Sequence, residues 1–271
     1  MRRARLDAEL VRRGLARSRE HAAELIGAAR VTVSGQRATK PATAVDPGAA
    51  VVVLADDTDE HWASRGAHKL IGALDVFTDV AVDGARCLDA GASTGGFTDV
   101  LLRRGASEVV AVDVGYGQLV WRLRTDERVH IHDRTNVRTL EPDAIGGPVQ
   151  VTVADLSFIS LSLVMPALQR CAAPDADLVL MVKPQFEVGK GRLGAGGVVR
   201  DPALRAEAVL GVIAAAAHLD RGLAAVTASP LPGPCGNVEY FVHVRADAPL
   251  GPDSGERAAD LVAAAVQEGP A

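Results

Sequence analysis

The stretch RCLDAGASTGGFTDVLL, residues 86–102, decides how the rest of the chain is read. Arg86-Cys-Leu-Asp89 has the character of a short strand. Ala90 to Gly96 then brings Gly91, Gly95 and Gly96 close together, which predicts a tight turn. Phe97, Val100, Leu101 and Leu102 begin a helix at the expected spacing. Val109-Val-Ala-Val-Asp113 follows as a second strand and closes on an acid. Glycines after a strand let the backbone approach a ligand closely, and an acid about 20 residues on suits a pair of ribose hydroxyls. Such a glycine motif is weak alone; strand, turn, helix and acid in this order make it specific. The competing reading of Asp113 is an acid that caps the next helix.

Strands and helices keep alternating through the body, which predicts an α/β fold with a parallel, doubly wound, Rossmann-like sheet. Val129-His-Ile131 is a further strand. Val149 to Val153 is another, and it runs into Asp155. The apolar run Asp177-Leu-Val-Leu-Met-Val182 stops on Lys183, and Pro184 forbids its continuation. A structural lysine belongs on a solvated face; this one is carried on a rigid element. The carboxyl ends of strands in an open parallel sheet line the ligand crevice. Asp155 and Lys183 are therefore expected at one site. Asn237 to Val244 is strand-like with Glu239 near its start, and Ser64-Arg-Gly-Ala-His-Lys69 opens a helix carrying Lys69. The bland alternative for these four side chains is a buried salt-bridge network without chemistry.

Composition narrows the class. The chain has 271 residues, 48% of them hydrophobic, enough for one large domain and an appendage. Cys87, Cys171 and Cys235 are odd in number and lack metal-type spacing, which fits a reducing compartment and argues against a disulfide framework or a metal site. The start MRRAR carries no apolar leader, so a cytoplasmic location is expected. The uncharged stretch Leu156–Gln169 is 14 residues long, too short to span a bilayer.

Charge is uneven. Residues 1–40 carry ten Lys/Arg against four acids, a net +6, while the whole chain is −5, so the remainder carries −11. A basic head on an acidic body points to a polyanion as partner. Within the head, Leu6, Leu10 and Val11 recur at helical spacing up to Gly14; Ser18 can cap a second helix with Glu20 in its first turn. Val31-Thr-Val33, a Ser34-Gly35 turn and Val51 to Leu54 supply a small sheet. Asp56-Asp-Thr-Asp-Glu60 reads as a boundary. The expected domains are 1–59, a linker at 60–63, and 64–271. Trp62 is either an anchor between the domains or a core residue of the second.

The string RLDAELVRRGLARSREHAAELIGAARVTVSGQRATKP resembles the alpha-L RNA-binding domain of the fourth small-subunit ribosomal protein, with Ala29 where a glycine is common. That resemblance implies RNA contacts from Arg3, Arg5, Arg17 and Arg19. The turn DAGASTGGF, lacking the dinucleotide signature G-x-G-x-x-G, resembles the S-adenosylmethionine loop of class I methyltransferases. It implies a cofactor held by Asp89, Gly91, Ala92, Ser93, Thr94, Gly95, Gly96 and Phe97, with Asp113 on its ribose and Thr135 and Asn136 near its adenine. Lys69, Asp155, Lys183 and Glu239, in that order, resemble the K-D-K-E tetrad of 2′-O-ribose methyltransferases. SRGAHKL, LDAGASTGGFTDVLL, DVGYGQL, DLSFIS, KPQFEVGK and GNVEYF together resemble the haemolysin A (TlyA) family over essentially the whole chain.

This resemblance implies S-adenosylmethionine-dependent methylation of cytidine 2′-hydroxyls in ribosomal RNA within ribosomal subunits, small, large or both, and a link to susceptibility to tuberactinomycins such as capreomycin. A monomer that needs neither metal nor membrane is expected. In DLSF, Leu156-Ser157 replaces the paired prolines common in base N-methyltransferases, which argues against base-amine chemistry. Phe158 is expected either to stack on a flipped-out base or to fill the core, and Arg65 is a further expected RNA-binding residue. Two rival functions remain: a membrane-lysing protein, and a non-catalytic RNA chaperone that uses the head alone.

Overall fold

The computed structural model describes residues 4–16, 18–46, 48–54, 62–233, 235–250 and 254–269. It separates into two compact units, Met1–His61 and Trp62–Ala271. Of the expected linker at 60–63, residues 60 and 61 lie outside the described residues.

The first unit runs β1 (Ala4–Arg5), α1 (Leu6–Arg12), α2 (Arg19–Gly27), β2 (Val31–Val33), β3 (Gln36–Arg37), β4 (Ala44–Val45) and β5 (Val51–Val53). Ser18 starts α2 as the sequence predicts, its hydroxyl accepting the His21 amide at 3.1 Å. Leu6, Leu10, Ala22, Ile26 and Val31 form its small core. Ala29 has φ +56, so the position where a glycine is common does adopt the left-handed turn.

The second unit runs α3 (Gly66–Val76), β6 (Arg86–Ala90), α4 (Gly96–Arg103), β7 (Glu108–Val112), α5 (Trp121–Arg124), β8 (Val129–His132), β9 (Val149–Ala154), α6 (Leu161–Cys171), β10 (Ala172–Val182), α7 (Pro184–Glu187), α8 (Pro202–Ala217), β11 (Gly222–Ala228), β12 (Tyr240–Arg245) and α9 (Ser254–Glu268). Seven strands form one sheet in the order β11-β12-β10-β9-β6-β7-β8. From β10 to β8 all neighbours are parallel. β12 is antiparallel to both β10 and β11. The sheet is thus doubly wound but not wholly parallel. Trp62 belongs to this unit: the Arg103 guanidinium lies 3.9 Å over its ring.

Side chains on a strand alternate between faces. Leu88, Ala90, Leu178, Leu180, Val182, Tyr240 and Val242 pack on one face against α6, α8 and α9. Cys87, Val109, Ala111, Val151, Val153, Val179, Met181 and Phe241 pack on the other against α3 and α4. Continuing that alternation by one step past the strands sends Asp113, Asp155 and Lys183 to the α3–α4 face. Asp89, and Glu239 just before Tyr240, share it.

Candidate active site

The chain leaves β6 for β7 and β8 on one side and returns to β9 and β10 on the other. Ligands bind at such a switch point, beyond the carboxyl ends of the strands. Gly91 follows β6 and Asp155 follows β9; the Asp155 amide donates to the Ala90 carbonyl at 3.0 Å. Gly91 has φ +91, and a Cβ there would stand 2.5 Å from the Asp155 carbonyl oxygen. Only glycine fits. Beside it opens a cleft of about 470 Å³ lined by Gly91, Ser93, Asp113, Asn136, Asp155 and Phe158, among others.

The predicted cofactor residues divide. Gly91, Ser93, Asp113 and Asn136 line the cleft. Asp113 accepts the Ser93 amide at 2.9 Å on one oxygen and the Gly115 amide at 2.7 Å on the other. It does not cap the next helix, α5, whose N-cap is Val120; a carboxylate has about four lone-pair sites, so two remain for a ligand. Asn136 also accepts the Arg138 amide at 3.0 Å. The other glycines serve packing: a Cβ on Gly95 would meet Leu119 and Leu123, and one on Gly96 would meet Ser64 and the Ala67 amide. Phe97 is turned into the core, 6.1 Å from the Phe241 ring. Ala92 is buried, the Thr94 carbonyl accepts the Val120 amide at 3.2 Å, and the Thr135 hydroxyl donates to the Asp133 carbonyl at 3.2 Å.

Asp89 is fully buried behind the glycine turn. One of its oxygens accepts the Thr98 hydroxyl at 2.6 Å; the other has no partner. Burial pushes its carboxyl up to about 7 against the opposing Thr98 bond, and the charges of Asp155 and Asp113 add to the rise.

Lys69, Asp155, Lys183 and Glu239 form two ion pairs. Lys69 Nζ lies 2.5 Å from Glu239 Oε2, with side chains only 6% and 1% exposed. Lys183 Nζ lies 2.6 Å from Asp155 Oδ1, with side chains 10% and 25% exposed. The first pair is sealed; the second opens on the cleft that Asp155 lines. Lys183 also donates to the Ser157 hydroxyl at 2.9 Å, a partner not singled out from the sequence although it stands in the DLSF string. Val182 pairs with Tyr240, so the antiparallel register sets Glu239 beside Lys183. A parallel β12 would have sent Glu239 to the opposite end of the sheet.

Phe158 is 92% exposed on the cleft rim, so it is not a core residue. Its φ is +64, and its ring lies 5.2 Å from that of Phe186. Arg65 is exposed at the N-cap of α3. In the first unit, buried Asp7 holds Arg5 and Arg19, each at 2.9 Å, and buried Glu9 holds Arg12 at 2.6 Å and Arg13 at 2.7 Å. Hydrogen bonds from Arg5 and Arg12, respectively, hold these two carboxyls below the usual carboxylate range. Arg5 and Arg19 remain more than half exposed. Arg3 and Arg17 lie outside the described residues. Among the described residues no group of three or more His, Cys, Asp or Glu could hold a metal ion, and no helix is long and apolar enough to cross a membrane.

A switch-point crevice with a glycine turn and a strand-end acid is the architecture of a nucleotide-cofactor enzyme, a class that includes the methyltransferases. The FtsJ-like methyltransferase model matches residues 62–246 and the S4 domain model residues 4–51, so the chain belongs to the FtsJ-like methyltransferase family and carries an S4 domain ahead of it. Among its relatives, the 16S/23S rRNA (cytidine-2′-O)-methyltransferase TlyA of Mycobacterium tuberculosis is 61% identical over 271 residues and 99% of both chains. The 23S rRNA (cytidine-2′-O)-methyltransferase TlyA of Campylobacter jejuni is 35% identical over 69% of this chain and 72% of its own. A solved structure from Streptococcus thermophilus, named for a hemolysin, superposes with a TM-score of 0.77 at 36% identity, covering 99% of this chain and 97% of that one.

Proposed function

We propose that the protein methylates 2′-hydroxyls of cytidines in ribosomal RNA, using S-adenosylmethionine. The observation that carries this reading is the open Lys183–Asp155 pair at the strand ends, beside a cleft walled by Gly91 and Asp113. The family implies the cofactor, and the residues fit it. Gly91 leaves the backbone bare at the cleft, Asp113 has acceptor capacity for ribose hydroxyls, and Asp89 keeps an open acceptor behind the turn. When bound, S-adenosylmethionine supplies a methyl group already activated by its sulfonium.

The chain's own task is to place a weakly acidic hydroxyl in line with that methyl and to manage its proton. Lys183 is held by its ion pair with Asp155 and its hydrogen bond to Ser157, which leaves N–H groups to aim at the ribose oxygen. Orienting the hydroxyl is the role this geometry supports. The sealed Lys69–Glu239 pair braces the floor behind it. Phe158 offers an exposed ring on which an unstacked base can rest. Arg5 and Arg19 of the head, with Arg3 and Arg17, and Arg65 of the body contact phosphates.

The 16S/23S specificity in the name of the Mycobacterium tuberculosis relative supports action on both subunits; the tuberactinomycin link rests on the family resemblance alone. The test is to map ribose methylation on both ribosomal RNAs from cells with and without the gene, alongside capreomycin susceptibility. Cytidine 2′-O-methyl groups that vanish from both RNAs are expected; unchanged maps overturn the reading.

A further inference from the structure

Glu187 ends α7, on the segment that begins with Lys183. Its Oε2 accepts the Ser160 hydroxyl at 2.5 Å and its Oε1 accepts the Leu161 amide at 2.9 Å. Ser160 and Leu161 open α6, whose first amides have no partner within the helix. The α6 terminus is thus capped by a carboxylate from another segment as well as by Ser160, and the positive end of the helix favours an anion there. Burial raises the Glu187 carboxyl from its ordinary value, while the Ser160 and Leu161 bonds oppose the rise.

These bonds are the last of three ties between the same two segments, taken in step. Lys183 meets Asp155 and Ser157. Phe186 meets Phe158. Glu187 meets Ser160 and Leu161. Between the first tie and the last, Phe158 holds a left-handed backbone that a non-glycine residue adopts only when its surroundings impose it. The Asp155 end of this loop is anchored to the sheet through the Ala90 carbonyl. Glu187 anchors the other end.

We propose that Glu187 is a positioning residue for methyl transfer. It pins the Ser160 end of the loop, so that Asp155, Ser157 and Phe158 stay aligned with Lys183. This rests on the methyltransferase reading of the cleft. Glu187 acts through the loop and need not touch the nucleotide. The cofactor wall made by Gly91, Ser93 and Asp113 hangs from β6 and β7 and does not depend on it.

The experiment compares full-length wild type with Glu187→Ala, Glu187→Gln, Ser160→Ala and the double variant of the two alanine substitutions. Calorimetry reads S-adenosylmethionine affinity and melting temperature, and initial rates read kcat and KM on ribosomal subunits. Glu187→Ala, which removes both bonds, should lower kcat about tenfold or more, since small misplacements at a distance are costly. KM should rise with it, because Phe158 rides on the loop, while cofactor affinity should stay within about threefold, because Gly91, Ser93 and Asp113 hang from β6 and β7. Glu187→Gln, whose amide can accept from Leu161 and donate to Ser160, should recover most of the rate. Losses in the double variant should be less than multiplicative, because the two substitutions share the Ser160–Glu187 bond. A Glu187→Ala enzyme with kcat within about twofold of wild type, or losses that multiply in the double variant, overturns the proposal. If Glu187→Ala does not fold, Ser160→Ala decides alone: a lowered kcat at unchanged cofactor affinity supports the tie, and a wild-type kcat overturns it. Wild type inactive on subunits overturns the functional reading as well, whereas an active wild type with an active Glu187→Ala overturns only this inference.

Discussion

Lys183 Nζ lies 2.6 Å from Asp155 Oδ1, at the ends of two neighbouring parallel strands. Lys183→Ala should lower methyl transfer by about 100-fold or more while the melting temperature and cofactor affinity stay near wild type. Lys183→Arg should also be poor, because a planar fork does not reproduce a compact ammonium. Single-turnover methyl incorporation into subunits measures both. A Lys183→Ala enzyme with a near-normal rate would make the lysine structural.

The sealed pair behaves differently. Removing one partner of a buried ion pair leaves an uncompensated charge, so Lys69→Met or Glu239→Leu should cost about 3–5 kcal/mol of stability. Replacing both, as Lys69→Met with Glu239→Leu, should recover most of that loss. Urea unfolding midpoints check it. Additive losses in the double variant would show that the two side chains do not act as a pair.

Asp89 predicts a pH signature. Its folded carboxyl stands at about 7, above the unfolded value. The folded state therefore binds the extra proton between about pH 4 and pH 7, and the group's contribution, full below that window, is lost as pH rises through it. Asp89→Asn retains an acceptor for Thr98 and removes the titration. Wild-type stability, measured relative to this variant, should fall as pH climbs from about 4 to about 7 and stay level above. A difference that is flat across the window refutes the assignment.

The acidic body should be repelled by RNA unless the basic head supplies attraction through phosphates, which makes binding salt-dependent. A protein lacking residues 1–61 should fold and bind S-adenosylmethionine but methylate subunits poorly. Neutralising Arg3, Arg5 and Arg19 together should flatten the slope of log affinity against log salt by about 0.7–0.9 for each phosphate no longer neutralised by the protein. Filter binding over a salt series reads this slope. A headless protein with full activity would remove the head from RNA docking.

Much of this site was legible in the chain. Lys183 betrayed itself by ending an apolar run at a proline, and Asp113 by closing the strand after a glycine turn. The glycines were less transparent. All three look alike in DAGASTGG, yet only Gly91 lines the cleft, and Gly95 and Gly96 make room for leucines and for the start of α3. Glycine shows where a side chain is excluded, not what excludes it. Glu187 was invisible because its partners, Ser160 and Leu161, lie in another segment and nothing in KPQFE marks a cap.

Local pattern by itself marked the strands that end at the site, that a basic α+β head precedes an α/β body, and which side chains share a strand face, because alternation and capping are properties of neighbours along the chain. Tertiary structure alone decided the direction of β12. The run Asn237 to Val244 reads the same whether it pairs parallel or antiparallel, and only its antiparallel place beside β10 brings Glu239 to the end of the sheet where Lys183 stands. It also decided which ion pair is sealed and which reaches the cleft through its carboxylate. Exposure depends on what α3 and the Asp155–Ser160 loop cover, and no periodicity along the chain records that.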